Sequence, residues 1–324
     1  MKIMHRNIYL IAILLGVVGL SACSQDDTLT PDGGTDNGNA IRFTTAIADF
    51  TGDTDSGTRA TIDETDGIGH FDSGDQIGIY AYTDNSLQVN NIFRTATLNG
   101  TAWEYNTPLR WSDVPGNSNQ CRIIGHYPLQ TAQPDEEGKS IFTVQSDQST
   151  IEAYRASDLL VSGTILNEHG LFLPVETNRG EPVTLNFVHV MSRIKVTLTA
   201  GDNVSQEVVN SATVKIKNAQ VNYMISFILG NNGAPGSPSY ADITPLKSAT
   251  APGTFYALVP RQFLTAGDDW IEVTAGGKTV NYAVPANILL KCGTQQVVNL
   301  TLTSSGGSGD ENGDNFNPGG GWGN

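Results

Sequence analysis

From Val188 to Leu198 every even-numbered residue except Ser192 is apolar, while His189, Arg193 and Lys195 occupy odd positions. A period of two is the repeat of a pleated strand, whose successive side chains point to opposite faces; a helix would scatter the same residues around its circumference. The alternation recurs. It sets Ile41, Phe43, Thr45 and Ile47 on one face, and Ile77, Ile79 and Ala81 opposite Tyr80 and Tyr82. It continues through "ATVKIKNAQV", "GTFYALVP", "DWIEVTAGGKTVNYAVP" and "QQVVNLTLT". Within the third of these, Gly276-Gly277 is expected to form a two-residue hairpin turn, because glycine accepts positive φ without steric cost. No stretch of twelve residues carries an apolar stripe at helical spacing; at most "TAGD" and "VPANILLK" form single turns.

The chain is therefore read as all-β. At least ten short strands exceed one seven-stranded sandwich and fit two β-sandwich domains in tandem. The boundary is placed at Asn178-Arg179-Gly180, a polar break between "LFLPVE" and "VTLNFVHV", giving an N-terminal domain over 40–179 and a C-terminal one over 180–303. Residues 23–39 are expected to be a flexible tether and 304–324 a disordered tail. The tail holds seven glycines between Ser304 and Gly321, and neither segment has enough apolar side chains to offset the entropy of ordering.

The first 22 residues differ in kind. Lys2 and Arg6 precede an unbroken apolar run, Ile8 to Leu20, of thirteen residues. A spanning helix needs ~20, so this is the apolar core of a signal peptide. Leu20-Ser21-Ala22-Cys23 resembles a bacterial lipobox, which makes Cys23 the palmitate-bearing N-terminus of a mature lipoprotein held in the outer membrane. Asp26 and Asp27 resemble the surface-export signal of lipoproteins in the Bacteroidota. The net charge is −15, and −17 without the two cations of the signal. Such a surface repels phosphate backbones and anionic lipid alike, which argues against nucleic acid as a partner and leaves membrane attachment to the lipid. Cys121 and Cys292 lie 171 residues apart in an oxidising compartment; that spacing does not argue for a bridge, and two buried free thiols are the common alternative.

Motifs for chemistry are absent. The histidines, His5, His70, His126, His169 and His189, do not pair at metal-ligand spacing, and HExxH, CxxC and GxSxG do not occur. His189 lies on the polar face of its strand and is read as a hydrogen-bonded structural residue. Asp53, Asp55, Gly57 and Glu64 mimic a calcium loop, but the sixth position is Thr58 where the sharp turn needs glycine. Hence no enzyme, metal or cofactor is expected. Trp103, Trp111, Trp270 and Trp322 could stack on sugar rings, although packing is preferred for three of the four.

Several phrases together resemble the fimbrillin family, subunits of the type V pili of Bacteroidales: "IRFTTAI", "GTRATID", "FDSGDQIGIYAYT", "LRWSD", "DLLVSG" and "LNFVHVMSRIKVTL". The resemblance covers about residues 40 to 302 and implies two in-line transthyretin-like β-sandwiches. It also implies a mechanism. An arginine-specific protease cuts a loop after the first strand, the strand leaves, and a strand of another subunit fills the groove by donor-strand exchange. Here the processing site would be Arg59-Ala60 and the exchanged strand would carry Ile41, Phe43 and Ile47. The Gly- and Asp-rich tail lacks the alternating apolar residues of a donor strand, which favours a tip or accessory subunit over a stalk subunit. The implied partners are other pilin subunits, the protease, and host or bacterial surface ligands, at the cell surface in a fimbrium serving adhesion. The alternative is a non-polymerising surface lipoprotein that binds glycans or host ligands.

Overall fold

The structure is a computed structural model. It describes residues 39–52, 69–83, 91–129, 139–165, 172–226 and 237–303, and backbone pairing for Asp27–Thr28 and Phe316–Pro318. It is all-β, as the alternation requires. Two sheets dominate. The first has nine strands, in the order Asp27–Thr28, Phe43–Ile47, Val183–His189, Leu160–Ser162, Gln120–Tyr127, Gln76–Tyr82, Asn91–Asn99 and Ala102–Tyr105, with Val175–Asn178 also pairing Gln120–Tyr127. Its core gathers Ile41, Phe43, Ile77, Ile79, Ala81, Trp103, Val183, Leu185 and Phe187.

The second sheet has six strands. Leu246–Lys247, Thr254–Val259, Ser192–Ala200, Thr294–Leu302 and Phe316–Pro318 follow one another, and Thr51–Gly52 also pairs Thr294–Leu302. A four-stranded sheet of Tyr240–Ile243, Thr213–Gln220, Asp269–Ala275 and Lys278–Ala283 accompanies it. The two share one buried cluster, with Ile194, Val196, Leu198, Val298 and Leu300 from the larger sheet and Val214, Ile216, Ile271 and Val273 from the smaller. This is the sandwich arrangement of two inward faces closing on one core. In the hairpin of the smaller sheet, Gly276 and Gly277 adopt φ of 58° and 80° between Ala275 and Lys278.

The first sheet is covered on both faces. Ile77, Ile79 and Ala81 enter its own core, as their spacing predicts, while Tyr80 and Tyr82 join the second cluster together with Ile124 and Val161. Double burial explains a glycine of the "GDQIGIYAY" phrase. Gly78 lies opposite His126 in the ladder, and a Cβ on it would stand 2.1 Å from the imidazole Cε1. His126 is itself buried, and burial pushes its pKa down to about 4.

The break expected at Asn178-Arg179-Gly180 is corrected. It is a turn inside the first sheet, with Gly180 at φ 89°, and Val183–His189 beyond it pairs with Phe43–Ile47 and Leu160–Ser162. Burial of Val183, Leu185 and Phe187 in the first core holds that strand there, so the chain leaves for the second sheet at Val190-Met191. The expected tether and tail are corrected at two points. Asp27–Thr28 pairs with Thr44 and Thr45, and Phe316–Pro318 pairs with Leu300–Leu302. Two six-residue helices, Ile151–Ala156 and Gln206–Ser211, also depart from the strand-only expectation. They are too short to show a stripe. Their signal is the cap: Thr150 accepts from the Ala153 amide and Ser205 from that of Val208, with Glu152 and Glu207 in the first turns.

A candidate docking groove beneath the N-terminal strap

Residues 41–52 form a strap that runs from one sheet to the other. Phe43–Ile47 lies parallel to Val183–His189, with Phe43 beside Val183 and Ile47 beside Phe187. Among the described residues its far side meets only Asp27–Thr28, so it is close to an edge strand. Main-chain bonds hold both ends: the Ile41 amide donates to Leu109 O at 2.9 Å, the Trp111 amide to Asn39 O at 2.7 Å, and the Ala48 amide to Phe187 O at 2.8 Å.

The side chains fill a groove in the first core. Ile41, Phe43 and Thr45 are all at most 2% exposed, whereas Ile47 is half-buried at the end of the strand. Phe43 meets the edge of Tyr105 at 5.4 Å and tilts against Trp103 at 6.4 Å. Behind them Phe71 packs edge-on against both Trp103 and Phe187. Two hydrogen bonds give the groove a register. The Trp103 indole Nε1 donates to Thr45 Oγ1 at 3.0 Å in a fully buried setting, and the Tyr105 hydroxyl donates to Ile41 O at 3.3 Å. Burial holds the Tyr105 hydroxyl well above its ordinary pKa, so it remains a donor.

Past Ile47 the strap changes partners. Ala48 and Asp49 are exposed, and Phe50 turns into the second cluster with 2% of its surface accessible. Its ring stacks on His189 at 3.7 Å between centroids and 17° between planes, with the Arg193 guanidinium 4.7 Å from the ring centroid. His189 Nδ1 is 2.8 Å from Asp158 Oδ2. Thr51–Gly52 then pairs with Thr294–Gln295 in the second sheet. The expected polar face of Val188–Leu198 is thus corrected: His189 and Arg193 are buried, because the strap and Tyr256 cover them. His189 is hydrogen-bonded and structural, as its chemistry suggests.

Of the expected site residues, Ile41 and Phe43 fill this groove and Ile47 sits half-buried at its end, while Cys23, Arg59 and Ala60 lie outside the described residues, as does the calcium-like stretch from Asp53 to Glu64. Trp103, Trp111 and Trp270 are at most 1% exposed, so packing and not sugar stacking accounts for them; Trp322 lies outside the described residues. Cys121 and Cys292 are buried free thiols, and burial pushes their pKa values up to about 12 and about 11. Phe50 was missed. Its only signal is an isolated aromatic in "ADFTG", out of phase with the alternation before it.

A near-edge strand seated in an apolar groove fits what the fimbrillin resemblance implies, and residues 58–314 match the model of the fimbrillin-like family. The chain belongs to the fimbrillin-like family. The match begins next to the Arg59-Ala60 bond. A Bacteroides ovatus protein named "Putative fimbrium tip subunit Fim1C" is 28% identical over 183 residues, which cover 51% of this chain and 31% of that protein. The chain therefore spans about a third of the length of this curated relative. Among solved structures, a "putative cell adhesion protein" of Bacteroides uniformis superposes with a TM-score of 0.55 at 17% identity, over 73% of this fimbrillin-like chain and 89% of the other. One of the same description from Bacteroides ovatus gives 0.55 at 18% identity, over 81% and 91%. At these identities the likeness shows the fold.

Proposed function

We propose that the chain is a cell-surface subunit of an adhesive fimbrium, a tip or accessory subunit, exported as a lipoprotein on Cys23 and made competent for assembly by cleavage between Arg59 and Ala60. The observation that carries this is the strap: a near-edge strand fills the first core with Ile41, Phe43 and Thr45 yet pairs fully along one side only. Such a strand can leave without breaking the sheet behind it. Its departure opens a groove floored by Trp103, Tyr105 and Val183, with the Val183–His189 backbone exposed for pairing. A strand from another pilin subunit fills the groove by β-augmentation, in which backbone hydrogen bonds supply affinity and alternate side chains supply fit. Ile41 and Phe43 contribute about 1.5–3 kcal/mol each through burial, which is the scale an incoming strand must match. Cleavage also severs the body from its lipid at Cys23, so neighbouring subunits hold it in the fibre. The tip assignment is supported by the name of the Bacteroides ovatus relative. A sugar-binding role has less support, since the buried tryptophans offer no platform.

Limited digestion with an arginine-specific protease tests the reading. The expected product begins at Ala60. Cutting first at Arg42, Arg94 or Arg155 with the 59–60 bond intact overturns it.

A further inference from the structure

The strap fills two seats of different chemistry. The second lies under Phe50. Strand alternation alone would carry the series 41, 43, 45 and 47 on to 49, but Asp49 is exposed and Phe50 turns the other way, into the junction between the two sheets. The floor of that seat is polar and built in place. Asp158, the second residue beyond the Ile151–Ala156 helix, holds His189 through Oδ2 to Nδ1 at 2.8 Å, and both side chains are 1% exposed. Arg193 is 3% exposed and lies against two rings, its Cζ 4.7 Å from the Phe50 centroid and 5.4 Å from that of Tyr256. The His189 ring lies within 17° of the Phe50 plane. A stacked imidazole and a guanidinium facing one ring select a flat π-surface. An aliphatic side chain covers the same area without the cation–π attraction, and a carboxylate has no π face to stack on His189.

We infer that this seat is an aromatic-reading pocket of the docking surface: the strand of another subunit that replaces the strap carries Phe, Tyr or Trp five residues beyond the small hydroxyl residue that meets Trp103. The inference rests on the reading that the strap leaves. The strap itself is the template for the occupant. It shows the direction, parallel to Val183–His189, and the spacing, from Thr45 at the Trp103 indole to Phe50 at His189. It also shows the continuation, since Thr51–Gly52 next pairs with Thr294–Gln295. The incoming strand therefore bridges both sheets and fixes their junction.

The test uses the full chain with a site-specific protease sequence substituted for residues 53–58, so that the strap is cut free whatever happens at Arg59. Labelled peptides of sequence 39–52 are exchanged into the cut protein and followed by fluorescence anisotropy. The peptides carry Phe, Trp, Leu, Ala or Glu at position 50. Phe and Trp peptides are expected to bind alike, Leu about tenfold more weakly, and Ala and Glu more weakly still. Leu equal to Phe, Glu stronger than Phe, or no exchange of any peptide overturns the inference. The unmodified chain is treated in parallel with the arginine-specific protease. An intact 59–60 bond there, alongside aromatic preference in the cut chain, sinks the processing site and leaves the pocket standing.

Discussion

The two seats of the strap differ in what they demand. The groove under Ile41 and Phe43 is apolar, and shape with one buried indole donor sets its register. The seat under Phe50 has a polar floor of Asp158, His189 and Arg193, packed between two sheets. An apolar groove accepts many side chains of about the right size, because transfer from water is non-directional. A buried polar floor is stricter, since the desolvated Arg193 guanidinium loses much when the ring over it is lost. In the proposed exchange, one seat would provide most of the affinity and the other most of the choice.

Phe43→Ala is the strongest way to break that comparison. Removing a ring that packs on Trp103 and Tyr105 should lower the unfolding free energy of the uncut chain by about 3–5 kcal/mol, measured by chemical denaturation. A loss under 1 kcal/mol by that measure would place the main anchor elsewhere. Thr45→Val comes next. It keeps the shape but leaves the Trp103 indole without its acceptor, at an expected cost of about 1–3 kcal/mol.

The pH dependence separates the strap from the sheet behind it. His126 has its pKa lowered from 6.5 to about 4 by burial, so between those values the unfolded chain binds more protons than the folded one. Stability should therefore fall as the pH drops from 6.5 towards 4, by up to about 1.4 kcal/mol per pH unit from this group. Its ring contacts are Tyr80 and Phe93, outside the strap, so the His126 share should be the same in cut and uncut protein. A share that vanishes on cutting would tie the strap to that face of the sheet. Phe50→Leu is the mildest change. It should cost the uncut chain only about 1 kcal/mol by denaturation, the scale of a cation–π contact beyond area burial. A loss as large as that of Phe43→Ala would make the two seats energetically alike.

Much of this was legible in the residues. Alternation marked Ile41, Phe43, Thr45 and Ile47 as one face; the first three are buried together and Ile47 is half-buried. Gly276-Gly277 announced its hairpin, and packing was the preferred reading for three of the four tryptophans, of which the three described are buried. The polar break at Asn178-Arg179-Gly180 misled because a turn within a sheet and a linker between domains use the same residues. His189 and Arg193 misled in a similar way. A period of two separates two faces of a strand but says nothing of what covers each.

The sequence by itself determined that this fimbrillin-like chain is β, where its inward faces lie, and which strand precedes the arginine. These follow from local geometry, because side-chain alternation and turn chemistry act over a few residues. Tertiary structure alone decided that the same strap reaches across to a second sheet and that Phe50 closes a polar junction. It also decided that Val183–His189 stays with the first core. Those outcomes depend on contacts between residues more than 100 apart in the chain, such as Phe50 with His189 and Thr51 with Thr294, and no local pattern encodes such partners.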